Sequence, residues 1–342
     1  MMDHDGTYAK MLDALLASPE PSVRWKVRAG VLGEAPDCAG IVALRAEIRD
    51  SEPVRRLLAP FSSDRRPAAY AKWQGAHWAL AALADLGYPS AEAALHPLRE
   101  QVLDTWLGAS YYTEFEATSK SGAYRRRGVA VMQGRYRRCA SQQGNALWSV
   151  ITLGLADRRC DDLVERLLHW QWPDGGWNCD KNPDADTSSF CETLLPMRGL
   201  AAYASTVDGA TGSEARDAAR HAAEVLLTRG LAYRVSTGEV ISPEFVKLHY
   251  PLYWHYDVLG GLKGVAQLGL LGDERCARAL DLLESMRLPD GWPAHNRYYR
   301  TAADIGLHND CVDWGGTGAR RANPWVTADA LAVLHAAGRV RL

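Results

Sequence analysis

Six stretches of the chain carry small and apolar residues at helical spacing, densely enough to suit buried helices. They begin near Val23 (VRWKVRAGVLG), Trp73 (WQGAHWALAALADLG), Gln142 (QQGNALWSVITLGL), Ser188 (SSFCETLLPMRGLAAYA), Tyr253 (YWHYDVLGGLKGVAQLGLLG) and Trp325 (WVTADALAVLHAAG). Several end in glycine, the usual residue just past a helix C-terminus. Between them lie more amphipathic, charged segments at about 39–49, 91–106, 160–170, 213–229 and 274–286, and the N-terminal TYAKMLDALLAS makes a sixth. Six apolar and six amphipathic helices predict an all-α fold, an (α/α)6 toroid. The apolar set forms the inner of two concentric rings and the amphipathic set the solvent wall. We expect one domain over residues 1–342 with almost no sheet. The stretch 108–138 fits no helix pair: it is polar, aromatic and Gly-rich, and reads as an ordered insertion or a mobile flap.

Two turns look alike. QWPDGGW (Gln171–Trp177) and RLPDGW (Arg287–Trp292) each follow an amphipathic segment and precede an apolar one. In Pro-Asp-Gly, Pro presets φ, Asp bonds backbone and Gly supplies positive φ.

Composition narrows the function classes. The 342 residues carry a net charge of −2, so no global field recruits nucleic acid or an anionic membrane. No apolar run approaches the ~20 residues a membrane span needs. The start, MMDHDGTYAKML, lacks a basic segment followed by an apolar one, so no signal peptide is expected. The seven cysteines are scattered, with no Cys-x-x-Cys, and predict reduced thiols in a cytoplasmic protein. Twelve Trp and fourteen Tyr are many for a helical chain, and such residues line pockets or cap turns.

The six-fold pattern with QWPDGGW ahead of an apolar helix resembles the terpenoid cyclase/protein prenyltransferase superfamily, whose squalene-hopene cyclases carry repeated Gln-x-x-x-Gly-x-Trp turns. Residues 171–177 match through Gln171, Gly175 and Trp177, whereas 287–292 has Arg287 in place of Gln and lacks one Gly. More closely, the chain resembles bacterial squalene cyclase-like or prenyltransferase-like proteins of uncharacterised activity. SVRWKV, KWQGAHW, CASQQGNALW, GGWNCD, LHYPLYWHYD and NPWVTADAL carry that likeness over most of the chain. The resemblance implies the toroid. It implies an activity only weakly, because one fold hosts many functions. It also implies that Trp172, Pro173 and Trp177 are structural.

Squalene-hopene cyclases protonate an alkene from an Asp-x-Asp-Asp-Thr motif, and here Asp184, Asp186 and Thr187 stand in the corresponding region with one Asp missing. The competing reading is a helix N-cap, with Ser189 and Glu192 forming a capping box. LHYPLYWHYD brings His249, Tyr253, His255, Tyr256 and Asp257 to the entry of the fifth apolar helix. Asp257 is the expected acid or base with His255 as its partner, and Asp186 is the second choice. A buried His bonded to a neighbouring Tyr or carboxylate is the alternative. Gln142 and Asn145 on an otherwise apolar helix suit a polar ligand or an amide network between helices. With Asp180, Glu192, His249, Tyr253, Tyr256 and Asp313 they make the expected substrate-binding set, meeting at one central cavity. The prenyltransferases hold Zn²⁺ through Asp, Cys and His. Cys179, Asp180, Cys191, His249, His255, Asp257, Cys311 and Asp313 are the candidates here, but the prenyltransferase Asp-x-Cys spacing is absent, so neither a metal nor any other cofactor is expected, least of all one needed for folding. Arg125–Arg127 and Arg135–Arg138 suit a diphosphate or carboxylate at the mouth, or a solvated charge run.

Three functions follow: an enzyme on an isoprenoid or similar small molecule, a lyase or hydrolase on a polar, saccharide-like substrate, or a ligand-binding protein without chemistry. The resemblance favours the first, with a small-molecule substrate as the partner. A single ring lacks the second barrel of the long squalene cyclases, which argues against a full triterpene cyclase.

Overall fold

Helices dominate the computed structural model, which describes residues 6–62, 66–301 and 308–341. The leader expectation falls partly on residues 1–5, outside the described residues. In chain order the helices are α1 (Thr7–Leu16), α2 (Pro21–Gly30), α3 (Ala39–Arg49), α4 (Glu52–Leu58), α5 (Ala76–Leu86), α6 (His96–Trp106), α7 (Ala109–Tyr112) and α8 (Lys120–Tyr124). There follow α9 (Ser141–Thr152), α10 (Arg159–Trp170), α11 (Phe190–Ala204), α12 (Ala210–Leu227), α13 (Val258–Ala266), α14 (Ala277–Ser285) and α15 (Pro324–Ala336). The strands are β1 (Glu114–Glu116), β2 (Val129–Met132), β3 (Arg135–Arg137), β4 (Arg300–Thr301) and β5 (Asn309–Asp310). All twelve expected helices form: α2, α5, α9, α11, α13 and α15 from the apolar segments, and α1, α3, α6, α10, α12 and α14 from the amphipathic ones. No helix among the described residues is long and apolar enough to cross a membrane.

The chain divides into two compact units. The first takes the described residues within 1–90, 229–253 and 257–342. In it α2 packs against α1, α3, α5 and α15, and α13 packs against α14 and α15. The starts of these helices are built by local chemistry. Glu20 caps α2 by accepting from Ser22 N at 3.2 Å, with Pro21 in the first turn. Asn323 caps α15 by accepting from Trp325 N and Val326 N at 3.1 and 3.2 Å. Asp257 Oδ1 caps α13 by accepting from Gly260 N at 2.7 Å. That cap sets the boundary. The apolar segment beginning near Tyr253 enters the helix only at Val258, because Asp257 holds an extended backbone and Tyr253 has φ of 53°.

The second unit takes 91–228 and 254–256. Its centre is the pair α9 and α11, with α12 on α11, α10 on α9 and α6 on α9. The close approach is made by glycine. A Cβ at Gly144 would lie 2.3 Å from Pro196 N, and one at Gly199 would lie 2.5 Å from Gly144 O. The stretch 108–138 is ordered. It holds α7, α8 and a sheet in which β1 pairs parallel with β2 and β2 antiparallel with β3. Its small core is Phe115, Ala123, Ala130 and Met132.

Each unit contains one of the two look-alike turns. Gly175 and Gly291 have φ of 99° and 141°, as the Pro-Asp-Gly pattern requires. Trp177 N donates to Thr193 Oγ1 at 3.3 Å and its indole Nε1 donates to Leu167 O at 3.0 Å. Trp292 N donates to Thr327 Oγ1 at 2.9 Å and its Nε1 donates to Leu283 O at 2.7 Å. The tryptophan ties the end of α10 to α11 in one case, and the end of α14 to α15 in the other. Trp172 and Trp177 are structural and buried. Pro173, expected to share that role, is exposed.

Candidate functional site

The first unit holds three polar groupings, buried or half-buried. The loop ahead of α13 carries Tyr253, whose Oη donates a hydrogen bond to Asp310 Oδ2. Trp314 Nε1 donates to the same oxygen at 2.8 Å, and Val312 N donates to Oδ1 at 2.9 Å. Rings surround the pair. Tyr253 stacks on Trp73 with centroids 3.9 Å apart, meets Trp78 edge-on at 5.5 Å, and faces Tyr299 at 6.4 Å. Burial raises the Asp310 carboxyl above its ordinary value, against the pull of its donors. Burial and the Asp310 charge likewise push the Tyr253 phenol well up. Beside them His77 is fully buried and held neutral, its pKa lowered by burial to about 3.

The second grouping is a closed ring of charges. Lys26 Nζ lies 2.8 Å from Asp85 and 3.0 Å from Asp329, and Lys263 Nζ lies 3.2 and 2.5 Å from the same two carboxylates. Tyr250 Oη donates to Asp85 at 2.8 Å. The four charges sit on α2, α5, α13 and α15.

The third is the expected His–Asp pair with a different histidine. Asp257 Oδ2 accepts from His249 N at 2.9 Å and lies 3.3 Å from His249 Nδ1. His249 stacks on Tyr298 at 4.4 Å, and its Nε2 is 3.4 Å from Glu244 without an aligned hydrogen bond. The partner expected for Asp257 was His255, which stacks instead on Trp254 at 3.9 Å. With Oδ1 on Gly260 N and Oδ2 on His249, both oxygens of Asp257 are engaged, one as a cap and one as a His anchor.

In the second unit Glu192 is the organising group. Its Oε2 accepts from Ser141 N, at the start of α9, at 3.0 Å, and its Oε1 accepts from Cys179 Sγ at 3.3 Å. Ser189 makes no side-chain cap, so the expected capping box does not form: Glu192 serves the neighbouring helix instead. Burial raises the Glu192 carboxyl, opposed by Ser141, Cys179 and Arg138. Cys179 is hydrogen-bonded with Cys139, and that bond, burial and the nearby Glu192 all raise its thiol pKa. Arg138 is buried. It donates to Gln142 Oε1 at 2.8 Å and Gln143 Oε1 at 3.3 Å, and packs over the rings of Trp106, Tyr111 and Trp170.

The other expected residues scatter. Asn145 is buried on α9, and Tyr256 is buried edge-on to Phe190 at 4.8 Å. Asp180, Asp186 and Asp313 are exposed and engaged locally, accepting from Asn182 N, Thr187 Oγ1 and Gly315 N. Asp186 thus lacks the burial an alkene-protonating acid needs, and it is not the helix cap either, since Ser189 holds that position. Arg125–Arg127 are solvated. Arg137 is buried and holds the backbone of Ala185 and Pro183 at 2.7 and 3.2 Å.

Asp310, Lys26, Asp85, Lys263, Asp329 and Cys139 were not singled out in the sequence. Asp310 stands three residues before the Asp313 that was, and in VRWKVRAGVLG Lys26 lies between Arg24 and Arg28 with nothing in the spacing to mark it as the buried one. Comparison with family models, curated proteins and solved structures finds no match to the chain.

Proposed function

We propose that the chain is a single-ring (α/α)6 toroid of the squalene cyclase/prenyltransferase kind, a cytoplasmic enzyme that transfers a proton to an isoprenoid or similar small molecule. The observation that carries the reading is Asp310: a buried carboxyl, raised by burial, among the rings of Trp73, Trp78, Tyr253, Tyr299 and Trp314. Protonating an alkene needs an acid that stays protonated until the substrate arrives. Val312 N donates to Oδ1, while Tyr253 and Trp314 fix Oδ2. Aromatic faces stabilise the carbocation that follows, through their quadrupoles. Asp310 replaces Asp257 and Asp186 as the acid. The alternating helices and the paired Trp–Thr turns support the toroid, and the seven free thiols suit a reducing compartment.

The test is incubation in D₂O with squalene, farnesyl diphosphate or geranylgeranyl diphosphate, followed by mass spectrometry. A proton-initiated isomerisation or cyclisation gives product carrying one deuterium, and Asp310→Asn abolishes it while Asp257→Asn, where folded, does not. Absence of any conversion overturns the reading, and tight binding without conversion assigns the chain to ligand binding. The buried His249–Asp257 pair favours a second reading, proton transfer on a polar saccharide-like substrate. Turnover of such a substrate lost in His249→Gln and kept in Asp310→Asn would select it.

A further inference from the structure

Cys139, Cys179 and Glu192 converge although they come from three separate places: the link between β3 and α9, the loop after the QWPDGGW turn, and the first turn of α11. Their ligating atoms all lie within 4.8 Å of one another. We propose that these three residues form a binding site for a borderline-soft divalent cation, Zn²⁺ in the first place, with a fourth coordination position open to water or a ligand.

The donor set selects the class of ion. Two sulfurs and a carboxylate suit Zn²⁺ and disfavour Mg²⁺ or Ca²⁺, which take oxygen ligands in larger numbers. A tetrahedral ion with bonds of about 2.3 Å to sulfur and about 2.0 Å to oxygen separates its ligands by roughly 3.5–3.8 Å. The cluster therefore closes by side-chain rotation of about 1 Å. Glu192 is already oriented for the task. The Ser141 N–H holds Oε2 and leaves Oε1 turned to the sulfur of Cys179, the arrangement by which a neighbouring donor fixes a metal ligand. Cys139 and Cys179 are half-buried, while Glu192 is buried.

Charge balance supports the same ion. Binding takes one proton from each thiol: Zn²⁺, two thiols and one carboxylate give a Cys₂Glu complex of net charge −1 and two released protons. The guanidinium of Arg138, buried beside Cys139, Cys179 and Glu192, supplies the balancing +1. A trivalent ion at the same ligands would leave a buried excess charge. Three protein ligands are the number found where zinc keeps a reactive position, whereas structural sites use four. The site is independent of Asp310, so either assignment can fail without the other.

The full-length protein, stripped with chelator and kept in reductant, is titrated with Co²⁺ and then Zn²⁺. The expected result is one Co²⁺ per chain, with thiolate-to-cobalt charge-transfer bands, displaced by one equivalent of Zn²⁺ with release of about two protons per ion. Cys139→Ser, Cys179→Ser and Glu192→Gln each weaken binding at least tenfold, and Cys38→Ser leaves it unchanged. Where a variant does not fold, alkylation of the wild-type chain decides: Zn²⁺ protects Cys139 and Cys179 together, and leaves Cys38 reactive. Absence of the charge-transfer bands, bands that persist in Cys139→Ser, or equal alkylation with and without Zn²⁺ overturns the proposal.

Discussion

Removing Lys26 tests whether the ring of four charges holds the first unit together. Its ammonium is 2.8 and 3.0 Å from two carboxylates, and its side chain is only 6% exposed. At such distances each contact is worth roughly 6 kcal/mol of gross attraction at an effective dielectric of about 20, most of it offset by desolvation. Lys26→Met keeps the stem and removes the charge. It leaves Asp85 and Asp329 facing Lys263 alone, with Asp85 also held by Tyr250. Breaking a fully buried pair from one side costs about 3–5 kcal/mol. Asp85 and Lys263 keep about a quarter of their side-chain surface exposed, so the expected loss is at the lower end, about 3 kcal/mol. The pH dependence carries a sign. Burial opposes ionisation of Asp85, but Lys26 and Lys263 outweigh it and hold the carboxyl well below its ordinary value near 3.8. A depressed carboxyl contributes stability that is present above its unfolded pKa and lost as pH falls through the folded one. The difference between wild type and Lys26→Met is therefore full at neutral pH and narrows below about pH 3.8. Urea unfolding followed by circular dichroism measures it, and hydrogen exchange in α2, α5, α13 and α15 locates it. Adding Asp329→Asn to Lys26→Met removes one charge of each sign and recovers part of the loss. A loss under about 1 kcal/mol, the size of an exposed pair, would refute the reasoning.

Three further outcomes follow from the packing. Gly144→Ala puts a methyl 2.3 Å from the backbone of Pro196 and destabilises the α9–α11 pair by about 1–3 kcal/mol or more, read by urea denaturation. Trp177→Phe and Trp292→Phe each lose one buried indole hydrogen bond and part of a buried ring, and each costs about 1–3 kcal/mol by the same assay, with the two values close to one another. Glu192 has a raised carboxyl pKa, so the native state binds its proton more tightly than the unfolded one. The linked destabilisation grows as pH rises from about 4.5 through the folded value. Glu192→Gln flattens the pH–stability curve over that window, and an unchanged slope would assign it to other groups.

The helices were legible because burial imposes periodicity, and α3 even ends where its pattern ends, at Arg49. The starts were harder. Helix α13 begins five residues later than its apolar pattern, because an Asp cap and a left-handed Tyr253 override composition. Site residues were legible only as neighbourhoods. The pattern singles out Asp313, which is exposed, and not the buried Asp310 three residues earlier, and it pairs Asp257 with His255 where the packed chain pairs it with His249. Sequence spacing shows which residues share a loop, and not which one turns inward. The Lys26 ring was hidden for another reason. Its members are 59 to 303 residues apart, on four different helices, and only the packed helices reveal that their charges cancel.

The paired turns show what kind of likeness survives when residues differ. Gln171 donates to Gly175 O and Ala218 O, at 2.6 and 2.9 Å, whereas the other turn has Arg287 at that place, packed over Tyr8. What both keep is a shorter grammar. A glycine at positive φ stands one or two residues before a tryptophan, the indole reaches back to the end of the preceding helix, and its backbone N–H reaches a threonine. That threonine is the fourth residue of the following helix in both cases, Thr193 in α11 and Thr327 in α15. The cap residue repeats too, since Ser189 N donates to Trp177 O at 2.9 Å and Asn323 N donates to Trp292 O at 2.8 Å. Close glycine packing explains the constraint. A Cβ at Gly176 or Gly291 would meet the threonine Oγ1 at 2.4 or 2.3 Å, so only glycine lets the hydroxyl reach the tryptophan N–H. The repeated unit is therefore Gly-Trp with a helix-borne Thr, and the Gln of the longer motif adds a second tether to α12 in one copy alone.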